Sequence, residues 1–155
     1  MANASLVTTV ILIRHAERDN PSTANPDPRL NTSGKTRAKK LIHVAGQSDI
    51  RAIYNSHFTR SRETARPLAA HLGLSPLVMD EPQQIKKDIL SNHTGQTVLV
   101  VGHSDTLPDL INRLGAGSIP AIDDSEFDNL FIVKVFNQRS ASVTRLKYGN
   151  PSSVG

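Results

Sequence analysis

Apolar residues in this chain fall into short clusters that alternate between the period of a strand and the period of a helix. TTVILI, Thr8 to Ile13, is a β-branched run with little polar interruption and predicts a buried strand. A proline-punctuated polar stretch, ERDNPSTANPDPRLNTSG, follows as a loop. Ala38, Leu41, Ile42 and Ala45 then recur at helical spacing, predicting a helix over Ser33 to Ala45. That register puts Lys35, Arg37, Lys39 and Lys40 mostly on its solvated side. AIYNS, Ala52 to Ser56, reads as a second strand. Ala65, Leu68, Ala69 and Leu72 mark a second helix, with Gly73 where a C-terminal cap belongs.

The pattern weakens and then sharpens. A short strand is expected around Leu77 to Met79 and a weak helix over Glu81 to Leu90. TVLVVG, Thr97 to Gly102, is the clearest buried strand. Leu107, Leu110, Ile111 and Leu114 define a helix from Asp105 to Leu114, with Pro108 tolerated in its first turn. After the acidic loop IDDSEFDN, the segments LFIVKVF and ASVTRLKY flank NQRS as an antiparallel hairpin. The tail, residues 149–155, is expected to be loose.

Strands alternating with helices imply a three-layer α/β/α fold, its mostly parallel sheet covered on both faces and carrying a late antiparallel edge strand. At 155 residues it reads as one domain, 1–155. Ligands of such folds sit beyond the carboxyl ends of the strands. Three polar groups follow strands directly: Arg14, His15 and Glu17; His57, Arg60 and Arg62; His103, Ser104 and Asp105.

Composition narrows the chemistry. With no cysteine, a disulfide scaffold and a cysteine-based metal site are excluded. The net charge of +4 would suit nucleic acid, but aromatics are 4% of the chain and tryptophan is absent, so a base-stacking surface would be thin and no nucleic-acid partner is expected. An anionic substrate is the other source of a basic balance. The N-terminal apolar run lacks a basic flank and is cut by Arg14, so a signal peptide or membrane span is not expected and the cytoplasm is the default location.

GHSDT, Gly102 to Thr106, lies one residue from a G-x-S-x-G nucleophile elbow. Two features oppose that reading. No histidine follows His103 to complete a triad, and Thr106 puts a β-branched side chain where the elbow needs glycine. A zinc site would need a third suitably spaced ligand, and the other histidines (His43, His57, His71, His93) supply no tight pair, so no metal or cofactor is expected. Phosphoryl chemistry suits the residues better. A neutral imidazole attacks phosphorus to give a phosphohistidine, and arginine forks pair with the phosphoryl oxygens throughout.

Four stretches in order carry a family resemblance. LIRHAERD resembles the Arg-His-Gly/Ala-Glu signature of the histidine phosphatase superfamily, which includes the cofactor-dependent phosphoglycerate mutases and small phosphohistidine phosphatases. DPRLNTSGKTRAKKL, AIYNSHFTRSRETARPLA and TVLVVGHSDTLPDLINRLG are similar to its D-x-x-L-T-x-x-G, S-x-x-x-R-x-x-x-T-A and second-histidine segments. The resemblance implies a phosphoglycerate mutase-like fold. It implies His15 as nucleophile and Arg14, Arg60 and His103 as phosphate-binding and catalytic partners. Glu17 would orient the loop, and Ser104 would cap a helix or donate a backbone N–H to phosphate. The leaving-group acid is not settled by it: Asp105 is one candidate and Glu81 the rival. The short segment between Gly73 and Thr97 leaves little material for a lid. An open site favours hydrolysis of a phosphorylated small molecule or phosphoprotein over mutase-type transfer, with a non-catalytic phospho-ligand binding module as the further alternative. The oligomeric state is not readable.

Overall fold

The computed structural model describes residues 6–152. Six strands, β1 (Val7–Arg14), β2 (Ile50–Asn55), β3 (Leu77–Val78), β4 (Thr97–Gly102), β5 (Asn129–Phe136) and β6 (Ser140–Lys147), form one sheet in the order β3-β2-β4-β1-β5-β6. β1, β2 and β3 pair in parallel through β4 and β2. β5 runs antiparallel to β1, and β6 closes the hairpin at the edge. Of the three residues between paired Phe136 and Ser140, Asn137 and Gln138 take φ of 52° and 62°, and the Arg139 N–H closes the turn onto the Phe136 carbonyl.

The helices are α1 (Thr32–Ala45), α2 (Thr59–Leu72), α3 (Pro82–Asn92) and α4 (Thr106–Ile111). Alternate residues of the central strands face opposite layers. Ile11, Ile13, Ile53, Leu99 and Val101 pack with Leu41 of α1 and Ala65 and Leu68 of α2. Val10, Leu12, Tyr54, Val98 and Val100 pack with Ile85 and Ile89 of α3 and Leu107 and Leu110 of α4. Each such side chain contributes roughly 1.5–3 kcal/mol by leaving water, so the sheet is held from both sides. Gly73 ends α2 at φ 68°, its N–H bonded to the carbonyls of Ala69 and Ala70.

Several details depart from expectation. Arg37 is not solvated: it is 3% exposed, because its guanidinium forks onto Glu17 and donates to the carbonyls of Tyr148 and Asn150. The expected loose tail is tied down through residue 152: Ser152 donates its N–H to Asp128, and its hydroxyl accepts from the Phe127 N–H. Residues 153–155 lie outside the described part. The helix expected to run to Leu114 stays regular only to Ile111. It then widens into a π-helical turn over Asn112–Ala116, where Gly115 turns left-handed. Among the described residues no helix is long and apolar enough to cross a membrane.

Candidate active site

The carboxyl ends of β1, β2 and β4 are adjacent, and the chain is stitched across them. The His15 N–H donates to the Gly102 carbonyl at 2.8 Å, joining the residue after β1 to the end of β4. Ser61, fully buried on α2, donates to the Val101 carbonyl and accepts the Ser56 N–H. Thr64, one turn on, accepts the Ala16 N–H and donates to the Arg60 carbonyl. Both hydroxyls therefore lock α2 against the strand ends, and α2 in turn presents Arg60. Asp27, from the long polar loop, accepts the Thr59 N–H and hydroxyl and so caps α2 from outside the helix.

His15 is 3% exposed. Its Nδ1 lies 2.8 Å from the Ala16 carbonyl, which can only accept, so Nδ1 carries the proton and Nε2 keeps its lone pair. Burial drives its pKa down to about 3, with Arg14 and His103 adding to the effect against the Ala16 hydrogen bond. His103 sits with its ring centroid 5.2 Å from that of His15. Its Nε2 is 2.7 Å from the Ser56 hydroxyl, and burial followed by the Arg60 charge lowers its pKa to about 4. Both imidazoles are neutral near pH 7.

Two guanidinium groups flank the pair. Arg14, 7% exposed, is held through Nη1 by the carbonyls of Asp123, Asp124 and Glu126. Its guanidinium lies 4.1 Å from the Phe127 ring centre, and Phe127 also meets the edge of His15. Arg60 stacks on Phe58 at 4.3 Å, and Phe58 packs edge-on to His103. Among the described residues, Nε of Arg14 and Nε of Arg60 are buried without a hydrogen-bond partner. Buried donors left empty are costly unless a ligand takes them, and both belong to the residue type that recognises phosphate.

The structure thus brings together Arg14, His15, Arg60 and His103. The other candidates stand apart from this cluster or lack fixed partners. Among the described residues, the side chains of Ser104 and Asp105 make no hydrogen bond, so neither caps α4. Asp105 occupies the cap position with helical φ and ψ, and Thr106 instead accepts the His103 N–H through Oγ1. Asp105 is exposed, close enough to His103 and Arg60 for its charge to be felt. Glu81 is exposed at the start of α3 without a side-chain cap bond. Arg62 points its fork at Thr59. Glu17 holds Arg37, and its carbonyl lies 1.9 Å from where a Cβ on Gly34 would fall, so only glycine lets α1 approach this loop. Periodicity does not single out Ser56, Asp27, Phe58 or Phe127. The S-x-x-x-R spacing ahead of Arg60 was the available signal for Ser56.

The depressed histidine pKa values have a measurable consequence. Both groups bind protons less readily folded than unfolded, where the ordinary value is 6.5. Between about pH 4 and 6.5 the unfolded chain therefore carries more protons, and stability falls as pH drops through that window. Urea unfolding midpoints should rise from pH 4 to 6.5 and level off above it. A midpoint that is flat or falls over that range would contradict the burial of these neutral rings.

Residues 10–85 match the family model of the histidine phosphatase superfamily (branch 1). That stretch, just under half of the chain, is similar to the histidine phosphatase superfamily. Three solved structures share the fold. The protein histidine phosphatase SixA, complexed with tungstate, is 18% identical, with a TM-score of 0.72 over 90% of this chain and 96% of its own. A mycobacterial glucosyl-3-phosphoglycerate phosphatase complexed with VO3 is 14% identical, with a TM-score of 0.68 over 91% and 98%. A mycobacterial hydrolase is 12% identical, with a TM-score of 0.67 over 94% and 100%. No curated protein matches the chain.

Proposed function

We propose that the protein is a metal-independent phosphatase that hydrolyses phosphomonoesters or phosphoprotein groups through a phosphohistidine on His15. The observation that carries this reading is the tautomer of His15. A carbonyl-anchored Nδ1–H leaves Nε2 as a free nucleophile beside two guanidinium Nε–H groups without partners. Tungstate and VO3, bound by two of the fold relatives, are oxyanions of phosphate-like charge, which supports an oxyanion ligand for this pocket.

The chemistry runs in two displacements. Nε2 of His15 attacks phosphorus as the leaving-group oxygen departs on the opposite side. Arg14 and Arg60 donate to the phosphoryl oxygens, and neutral His103, oriented by Ser56, donates from the nitrogen that is not engaged by the hydroxyl. Water then attacks the phosphohistidine and phosphate leaves. The substrate is a phosphorylated small molecule or a phosphoprotein, the site being built around the phosphoryl group itself.

Mixing the protein with 32P-labelled substrate and quenching within a turnover should trap label that survives alkali and is lost in acid. EDTA should leave both the trapping and steady-state turnover unchanged. Loss of activity on chelation would replace this reading with a metal hydrolase. Phosphate binding without turnover of p-nitrophenyl phosphate would make the chain a binding module instead.

A further inference from the structure

Hydrolysis of an unactivated ester needs a proton for the departing oxygen, and among the described residues neither Asp105 nor Glu81 is held by a side-chain hydrogen bond that would aim it. A different carboxylate is held. Asp80, two residues beyond β3, accepts the His57 N–H through Oδ1 and lies 2.8 Å from His57 Nδ1 through Oδ2. The pair stands at the catalytic cluster. His57 directly follows Ser56, whose hydroxyl meets His103, and Asp80 lines the same small cavity as Ser56, His103 and Thr106. The His57 ring stacks at 4.1 Å on Phe58, whose other neighbours are His103 and the Arg60 guanidinium.

Resting on the phosphatase reading, we infer that His57, oriented by Asp80, is the group that protonates the leaving oxygen. With both carboxylate oxygens engaged by His57, Asp80 is a positioning residue. Partial burial opposes its ionisation, yet the two hydrogen bonds from His57 keep its carboxyl below the ordinary carboxylate range, which unfits it as a proton donor. The bond to Asp80 assigns the Nδ1 proton, and among the described residues Nε2 makes no hydrogen bond, which leaves it available, as a carboxylate leaves a catalytic imidazole generally. Of the charged and titratable groups nearby, His103 acts on Asp80, and Arg60, Asp105 and Arg14 act on His103.

The step balances. As the His15 Nε2–phosphorus bond forms and the phosphorus–oxygen ester bond breaks, the electron pair left on the ester oxygen takes the proton from Nε2 of protonated His57. Neutral His57 then accepts a proton from the water that attacks phosphorus, the phosphorus–Nε2 bond breaks with its electron pair returning to His15, and phosphate is released with the pair restored. Both side chains are about half exposed, so replacing them does not open the core.

The test is a series of aryl and alkyl phosphomonoesters of increasing leaving-group basicity, with wild type, His57→Gln and Asp80→Asn. For p-nitrophenyl phosphate, whose leaving group scarcely needs a proton, kcat/KM should fall by less than about fivefold. For an alkyl phosphate it should fall about 100-fold, in line with general-acid contributions. The dependence of rate on leaving-group basicity therefore steepens in both variants. An equal loss on every ester would make the pair structural and overturn the inference, as would no loss on any of them. Wild-type protein that turns over none of the series would overturn the phosphatase reading, and this one with it.

Discussion

His15→Ala is expected to lower kcat/KM for p-nitrophenyl phosphate by about 10^4-fold or more and to abolish the acid-labile label. Removal of an attacking group costs effects of this order because the remaining residues stabilise a reaction that can no longer begin. The variant should still fold, since the lost ring is neutral and its Nδ1–H bond to the Ala16 carbonyl is local. It should also still bind inorganic phosphate, because Arg14 and Arg60 are held by elements other than His15. Arg14 hangs on the carbonyls of residues 123–126, and Arg60 on α2. Isothermal titration with phosphate and a thermal melt thus separate lost chemistry from lost structure. Label retained in the alanine variant would sink the phosphohistidine mechanism.

The second large effect concerns stability. Arg37→Ala should destabilise the fold by about 3–5 kcal/mol, the usual result of deleting one partner of a buried ion pair. The side chain is 3% exposed, and it forks onto Glu17 at 2.8 and 3.0 Å. It also satisfies the carbonyls of Tyr148 and Asn150, so its loss strands a carboxylate and two acceptors together. For a domain of this size the melting temperature should drop by roughly 10 °C. The double variant Arg37→Met with Glu17→Gln should recover part of the loss, because no unpaired charge then stays buried. A single-variant loss below about 1 kcal/mol would show that the pair is not desolvated. Activity should suffer too, because Glu17 lies two residues from His15.

What the sequence disclosed follows from how local each signal is. β1 and β4 are buried on both faces, so their runs TTVILI and TVLVVG are continuous and unambiguous. β3 spans only Leu77–Val78, both exposed, and has almost no pattern to read. Arg14, His15, Arg60 and His103 were legible because each follows a strand or a motif at fixed spacing. Arg37 was misread because a helical charge looks solvated unless its partners are known. Those partners lie 20, 111 and 113 residues away. The tail as far as Ser152 was misjudged for the same reason, since its anchor Asp128 lies 24 residues earlier, just before β5. Asp80 stood unnoticed in a polar stretch, because its pairing with His57 spans 23 residues and leaves no periodic trace.

The way Arg14 is anchored has an evolutionary corollary. Its Nη1 is tied to main-chain oxygens of Asp123, Asp124 and Glu126 rather than to a carboxylate. Carbonyls orient a guanidinium without cancelling its charge, so the cation remains whole for an incoming dianion. A tether made of backbone is also blind to side-chain identity. Side-chain identity enters one step removed, because Asp123 accepts from Ser125 and Glu126 accepts from Asp123 N–H, Asn129, Arg145 and Lys147 to hold the loop's shape; inserting or deleting a single residue there would dismantle the anchor.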